Sequence, residues 1–79
     1  GVLLSRSCQV GGKTVLGSGT TVGEGTIIRR SVIGRNCQIG PDCVIDGAYL
    51  WDGVVVEAGC RINSSIIADR TRIKAHTAV

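Results

Sequence analysis

Three kinds of residue in this chain could do chemistry. Its four cysteines, Cys8, Cys37, Cys43 and Cys60, raise the question of zinc ligation or disulfide bonding. They are separated by 29, 6 and 17 positions with no Cys-x₂-Cys pair, which is not the spacing of a zinc site. His76, the one histidine, could serve as a general base. A base also needs an orienting partner and a substrate pocket, and one imidazole cannot make a three-histidine metal centre within a chain. The carboxylates Glu24, Asp46, Asp52, Glu57 and Asp69 show no same-face pair at a spacing suited to acid–base work, and they read as solvated corner residues. The chain is therefore expected to hold no catalytic, cofactor-binding or metal-binding residue.

What positions these side chains is a repeat. Aliphatic residues stand at Leu4, Val10, Leu16, Val22, Ile28, Ile33, Ile39, Ile45, Leu50, Val56, Ile62, Ile67, Ile73 and Val79. The intervals are six residues with occasional fives, a series that neither a helix of period 3.6 nor an alternating strand produces. Two positions before each aliphatic, from Cys8 through Thr14, Thr20, Thr26, Ser31, Cys37 and Cys43 to Cys60 and Thr77, the residue is small or β-branched. On a strand, residues two apart share a face. Each repeat thus sends one small and one aliphatic side chain into a narrow interior, and the cysteines, interchangeable there with Thr, Ser and Ala, read as buried reduced thiols.

The five-residue intervals begin at Ile28, Ile45 and Ile62, 17 positions apart, so three intervals close one coil. The expected fold is all-β: a parallel β-helix of hexapeptide repeats, about four and a half triangular coils of 17–18 residues stacked about 4.8 Å apart. Gly19, Gly25, Asn36, Asp42, Gly53 and Gly59 fall where the triangle needs corners, and these types tolerate positive φ. His76 continues the column Gly25, Asp42, Gly59, so a corner role accounts for it.

Composition agrees. The hydrophobic share is 43%, yet there is no Phe or Met and only one Trp and one Tyr, so the interior is narrow and aliphatic. The net charge of +3 is spread along the chain, which does not suggest nucleic-acid binding. No apolar run approaches the roughly 18 residues that cross a bilayer. Residues 1–79 read as one domain, expected to be a fragment of a longer chain whose other parts cover the apolar end coils. Reduced thiols favour a cytoplasmic setting.

One feature exceeds what the fold requires. The residue before each inward aliphatic faces out. On one side of the triangle these are Val15, Val32, Tyr49 and Ile66, apolar in every coil, with Trp51 just past the same strand. Strand propensity alone favours such residues, but a continuous apolar face more often marks a contact surface. Val15, Val32, Tyr49, Trp51 and Ile66 are the candidate interaction face.

The stretch Ser31–Gly40 (SVIGRNCQIG) resembles hexapeptide repeats of sugar-nucleotide pyrophosphorylase relatives. Val44–Val56 (VIDGAYLWDGVVV), Gly23–Thr26 and Ser64–Asp69 (SSIIAD) are more particular. They resemble the β-helix domain of the epsilon subunit of the eukaryotic translation initiation guanine-nucleotide exchange factor. That resemblance implies a left-handed coil and a non-catalytic role. The module would join a nucleotidyltransferase-like domain to a helical catalytic domain and support assembly with other subunits. The gamma subunit is the leading partner, and the GTP-binding initiation factor is a further one. Two other classes stay open: a fragment of a hexapeptide-repeat acyltransferase, or the repeat domain of a sugar-nucleotide pyrophosphorylase.

Overall fold

The computed structural model describes all 79 residues, Gly1–Val79. It contains thirteen strands of two or three residues, numbered in chain order, and no helix. Three parallel sheets form the walls of a prism. The first stacks β1 (Leu3–Leu4), β4 (Thr21–Val22), β7 (Gln38–Ile39), β10 (Val55–Val56) and β13 (Arg72–Ile73). The second stacks β2 (Gln9–Val10), β5 (Ile27–Arg29), β8 (Val44–Asp46) and β11 (Arg61–Asn63), with Ala78 bridging to Arg61. The third stacks β3 (Val15–Leu16), β6 (Val32–Ile33), β9 (Tyr49–Leu50) and β12 (Ile66–Ile67).

Every pairing joins equivalent residues of successive coils, as the aliphatic column predicts. The offset is 18 at Leu3↔Thr21 and Gln9↔Ile27, then 17 from Val15↔Val32 onward. The additional residue therefore lies in the first coil, within Gly11–Thr14, at the corner between the second and third sheets.

Ile28, Ile33, Ile45, Leu50, Val56 and Ile62 fill the interior, each at most 2% exposed. Sequence reasoning treats the small inward column as filler, but the structure gives it a second task. Strand bonds do not reach all the corner carbonyls, and buried carbonyls need donors. Thr20 Oγ1 donates to Gly34 O at 2.7 Å and Thr26 Oγ1 to Gly40 O at 2.6 Å. The thiols of Cys37, Cys43 and Cys60 do the same to Trp51 O, Glu57 O and Lys74 O at 3.0, 3.2 and 3.0 Å. Thr20 and Thr26 also accept from the amides of Cys37 and Cys43, and Ser31 from that of Ala48.

The corners are left-handed turns. Positive φ occurs in three columns of period 17: Lys13, Arg30, Gly47, Ser64; Gly19, Asn36, Gly53, Arg70; and Gly25, Asp42, Gly59, His76. All six corner residues read from sequence are among them. Lys13, Arg30, Ser64 and Arg70 are additions, since their types carry no corner signal. Such a conformation costs a residue with a Cβ about 1–2 kcal/mol, and contacts between coils hold it. Ten of these residues donate their N–H to the residue 18 positions earlier, as Asn36 does to Ser18 O and His76 to Ala58 O, both at 2.9 Å. Arg30 does not bond Gly12 in this way.

Thr26→Val keeps shape and volume but strips the hydroxyl from between Gly40 O and Cys43 N–H. Two buried polar groups then lose their partner, and stability should fall by about 1–3 kcal/mol, read from denaturant midpoints at unchanged slope. A loss under about 0.5 kcal/mol, the size of a typical surface substitution, would return the column to simple filler.

Candidate interaction surface

The third sheet presents Val15, Tyr49 and Ile66 outward at 59%, 56% and 74% exposure, with Val32 half-buried between them. Trp51, 58% exposed, leaves the same wall one residue past β9, where the corner begins. All five residues expected from sequence thus stand on one wall, in the order of the coils. Tyr49 and Trp51 flank a shallow depression of about 230 Å³, lined also by Val32, Gly34, Leu50 and Asp52. Gly34 lets the next coil approach closely: a Cβ there would meet the Trp51 carbonyl carbon at 2.7 Å and the Asp52 nitrogen at 2.8 Å. The end coils also expose apolar residues, Leu3, Leu4 and Val10 on one side and Val79 on the other.

Charge is distributed unevenly around this wall. The edge it shares with the second sheet carries Lys13, Arg29 and Arg30 against the single carboxylate of Asp46. Arg30 Nε and Nη2 donate to Asp46 Oδ1 at 2.9 and 2.6 Å, and Arg29 Nη2 stands 3.5 Å from Oδ2. The edge shared with the first sheet balances Arg35 and Arg70 against Asp52 and Asp69. The third edge of the prism, remote from this wall, is the acidic one, with Glu24, Asp42 and Glu57 against Arg6 and Lys74.

The carboxylates correct the sequence reading in part. Asp52 and Asp69 do share a corner, one coil apart, and they are tied into the fold more than expected of solvated residues. Asp52 Oδ1 accepts the Arg35 amide at 2.8 Å, and Asp69 Oδ1 accepts the Asp52 amide at 3.2 Å. Both caps link neighbouring coils, and the signal in sequence was their spacing of 17. His76 takes the corner expected of it, with φ of 60° and its amide committed to Ala58 O. No group of three or more His, Cys, Asp or Glu side chains is placed to hold a metal ion.

A family model described as the EIF2B subunit epsilon LbH domain matches residues 1–79, the whole chain. The chain belongs to this family. Its fold is the left-handed parallel β-helix of hexapeptide repeats, in agreement with the stacked parallel sheets described above. The description makes this EIF2B epsilon domain one part of a subunit of an initiation factor, a setting that implies assembly with other subunits. No curated protein matches the chain. Among solved structures it is similar to a hexapeptide transferase family protein from Anaplasma phagocytophilum. That likeness has 15% identity and a TM-score of 0.36, and it covers 94% of this chain and 70% of the other.

The thiols of this EIF2B epsilon domain are free, with Cys37, Cys43 and Cys60 buried and Cys8 half-buried. Burial pushes the Cys37 and Cys43 thiols above the ordinary range, and backbone hydrogen bonds oppose the rise only in part. The negative charge of Asp52 adds to the rise at Cys37, and Cys60 and Asp42 add to it at Cys43. The neutral thiol is the form the fold accommodates, and as donor to a carbonyl it is the form the fold uses. A raised pKa in the folded state contributes stability that is complete below the unfolded-state pKa, about 8.5, and is lost as pH rises beyond it. The denaturant midpoint should therefore fall between pH 8 and pH 10. Cys37→Ser/Cys43→Ser should flatten that fall, and an equal fall in both proteins would remove the thiols as its cause.

Proposed function

We propose that the chain is a structural and protein–protein interaction module of the epsilon subunit of the translation initiation guanine-nucleotide exchange factor, acting in the cytoplasm. It spaces a nucleotidyltransferase-like domain from a helical catalytic domain. Its apolar wall, Val15, Val32, Tyr49, Trp51 and Ile66, seats a neighbouring subunit. Gamma is the first choice for that neighbour, and the GTP-binding initiation factor is a second protein that could dock on the module.

The observation that carries this reading is the apolar wall itself. Four successive coils each place an apolar side chain outward on one sheet, and both aromatics of the chain lie in its centre. A self-contained β-helix has no use for that pattern, since inward residues alone make its core. Tyr and Trp are the types that dominate protein interfaces when they sit beside a shallow cavity. The family match over the whole chain supplies the setting.

Capture of purified exchange-factor subunits on the immobilised domain tests the reading. Tyr49→Arg/Val32→Arg should reduce recovery more than about tenfold, the order of an interface hot spot, while far-ultraviolet dichroism stays unchanged. Equal recovery by both proteins would move the contact to another face. A chain that ran as a homotrimer and bound acyl-CoA would replace the assembly role with that of an acyltransferase fragment.

A further inference from the structure

The additional residue of the first coil breaks the stacking at a single place. The residue with positive φ in each later corner donates its N–H to the residue 18 positions earlier, with Arg30 as the one exception. Where that bond would form, the Gly11–Gly12 turn is displaced and the prism has a notch of about 400 Å³, lined by Gly11, Gly12, Arg29, Arg30 and Asp46. The main-chain N–H groups of Gly12 and Arg30 donate to nothing in the protein. Thr14 Oγ1 is buried without a partner.

These unpaired donors coincide with the most positive edge of the molecule. Asp46 holds Arg30 by two contacts to one oxygen and Arg29 by a looser one, yet the two guanidinium side chains remain 69% and 55% exposed. One carboxylate cannot consume ten guanidinium N–H donors, five on each arginine. It does, however, fix the Arg30 fork in place. Fixed arginine forks beside free amides form a receptor for a planar anion.

The notch is continuous with the apolar wall. Arg30 is followed by Ser31, Val32, Ile33 and Gly34, so the notch and the depression beside Trp51 are at most about 14 Å apart along the chain. A single docked segment spans that distance with four extended residues.

We infer that the occupant of the Tyr49–Trp51 depression is a partner segment with a large apolar residue and, about four positions away, an Asp or Glu whose carboxylate enters the Gly12–Arg30 notch. The inference rests on the docking reading above and adds the chemistry of the partner. Charge complementarity selects an acidic segment over a basic one, because the adjoining edge carries three cations against one carboxylate. The apolar wall beside the notch selects a protein over a nucleic acid, which would need a longer basic track.

Gly12 permits a test that leaves the fold alone, since a Cβ built there meets nothing within 4 Å and its φ is not in the left-handed range. Gly12→Glu places a carboxylate at the notch in cis, while Gly12→Gln places the same volume without charge. Against purified exchange-factor subunits at low salt, Gly12→Glu should bind about tenfold more weakly than Gly12→Gln, and the gap should close at high salt. Equal binding by the two, with Tyr49→Arg/Val32→Arg still defective, would overturn the acidic occupant and leave the docking reading intact. Normal binding by Tyr49→Arg/Val32→Arg would instead remove the docking reading and this inference with it. Phosphatase treatment of the subunits should leave the difference unchanged, and its disappearance would assign the notch to a phosphoryl group in place of a carboxylate.

Discussion

The rest of the structure depends on the parallel ladder that stacks each coil on the one before it. Strands of two or three residues have too few internal contacts to persist alone, and they gain order only because each N–H and C=O meets its equivalent one coil away. That requirement fixes the strand positions within each coil, so any change in coil length must be taken up at a corner. It also fixes the interior. With walls only one strand deep, an inward residue has room for one aliphatic and one small side chain, which is why the chain has no Phe or Met.

A narrow interior brings a polar problem with it. Corner carbonyls of Gly34, Gly40, Trp51, Glu57 and Lys74 accept from inward side chains in partly buried bonds, and an unpaired buried carbonyl costs about 1–3 kcal/mol. Thr20 and Thr26 hydroxyls, and the thiols of Cys37, Cys43 and Cys60, meet this need through bonds to the next coil. The buried thiols of Cys37, Cys43 and Cys60 are free, and each donates to a carbonyl of the next coil.

The same ladder that enforces regularity makes any irregularity local and visible. One additional residue in the first coil leaves the remaining coils in register, so the mismatch stays at one corner. There the amides of Gly12 and Arg30 stay unpaired, and the two guanidinium groups gather around one aspartate. The apolar wall begins next to this corner. The prism is therefore differentiated: one wall suits a partner, and the opposite edge is acidic.

Counting intervals along the chain is enough to define the coil, its register, the sheet to which each strand belongs and the set of side chains that face outward. The physical reason is that a β-helix translates sequence period directly into spatial neighbours, so Val15, Val32, Tyr49 and Ile66 align once the intervals are counted. The columns containing Gly19, Gly25, Asn36 and Asp42 were legible for the same reason. Lys13, Arg30, Ser64 and Arg70 were not, because their side chains carry no preference for positive φ; at Ser64 and Arg70 the turn is held by amide bonds to Asp46 O and Asp52 O of the neighbouring coil. Three-dimensional stacking set which inward hydroxyl or thiol reaches which carbonyl, that Asp52 and Asp69 cap neighbouring coils, and that Arg30 has no partner in Gly12. Those outcomes depend on how one coil meets the next in three dimensions, a relation set by packing and hydrogen bonding between residues 14 to 18 positions apart.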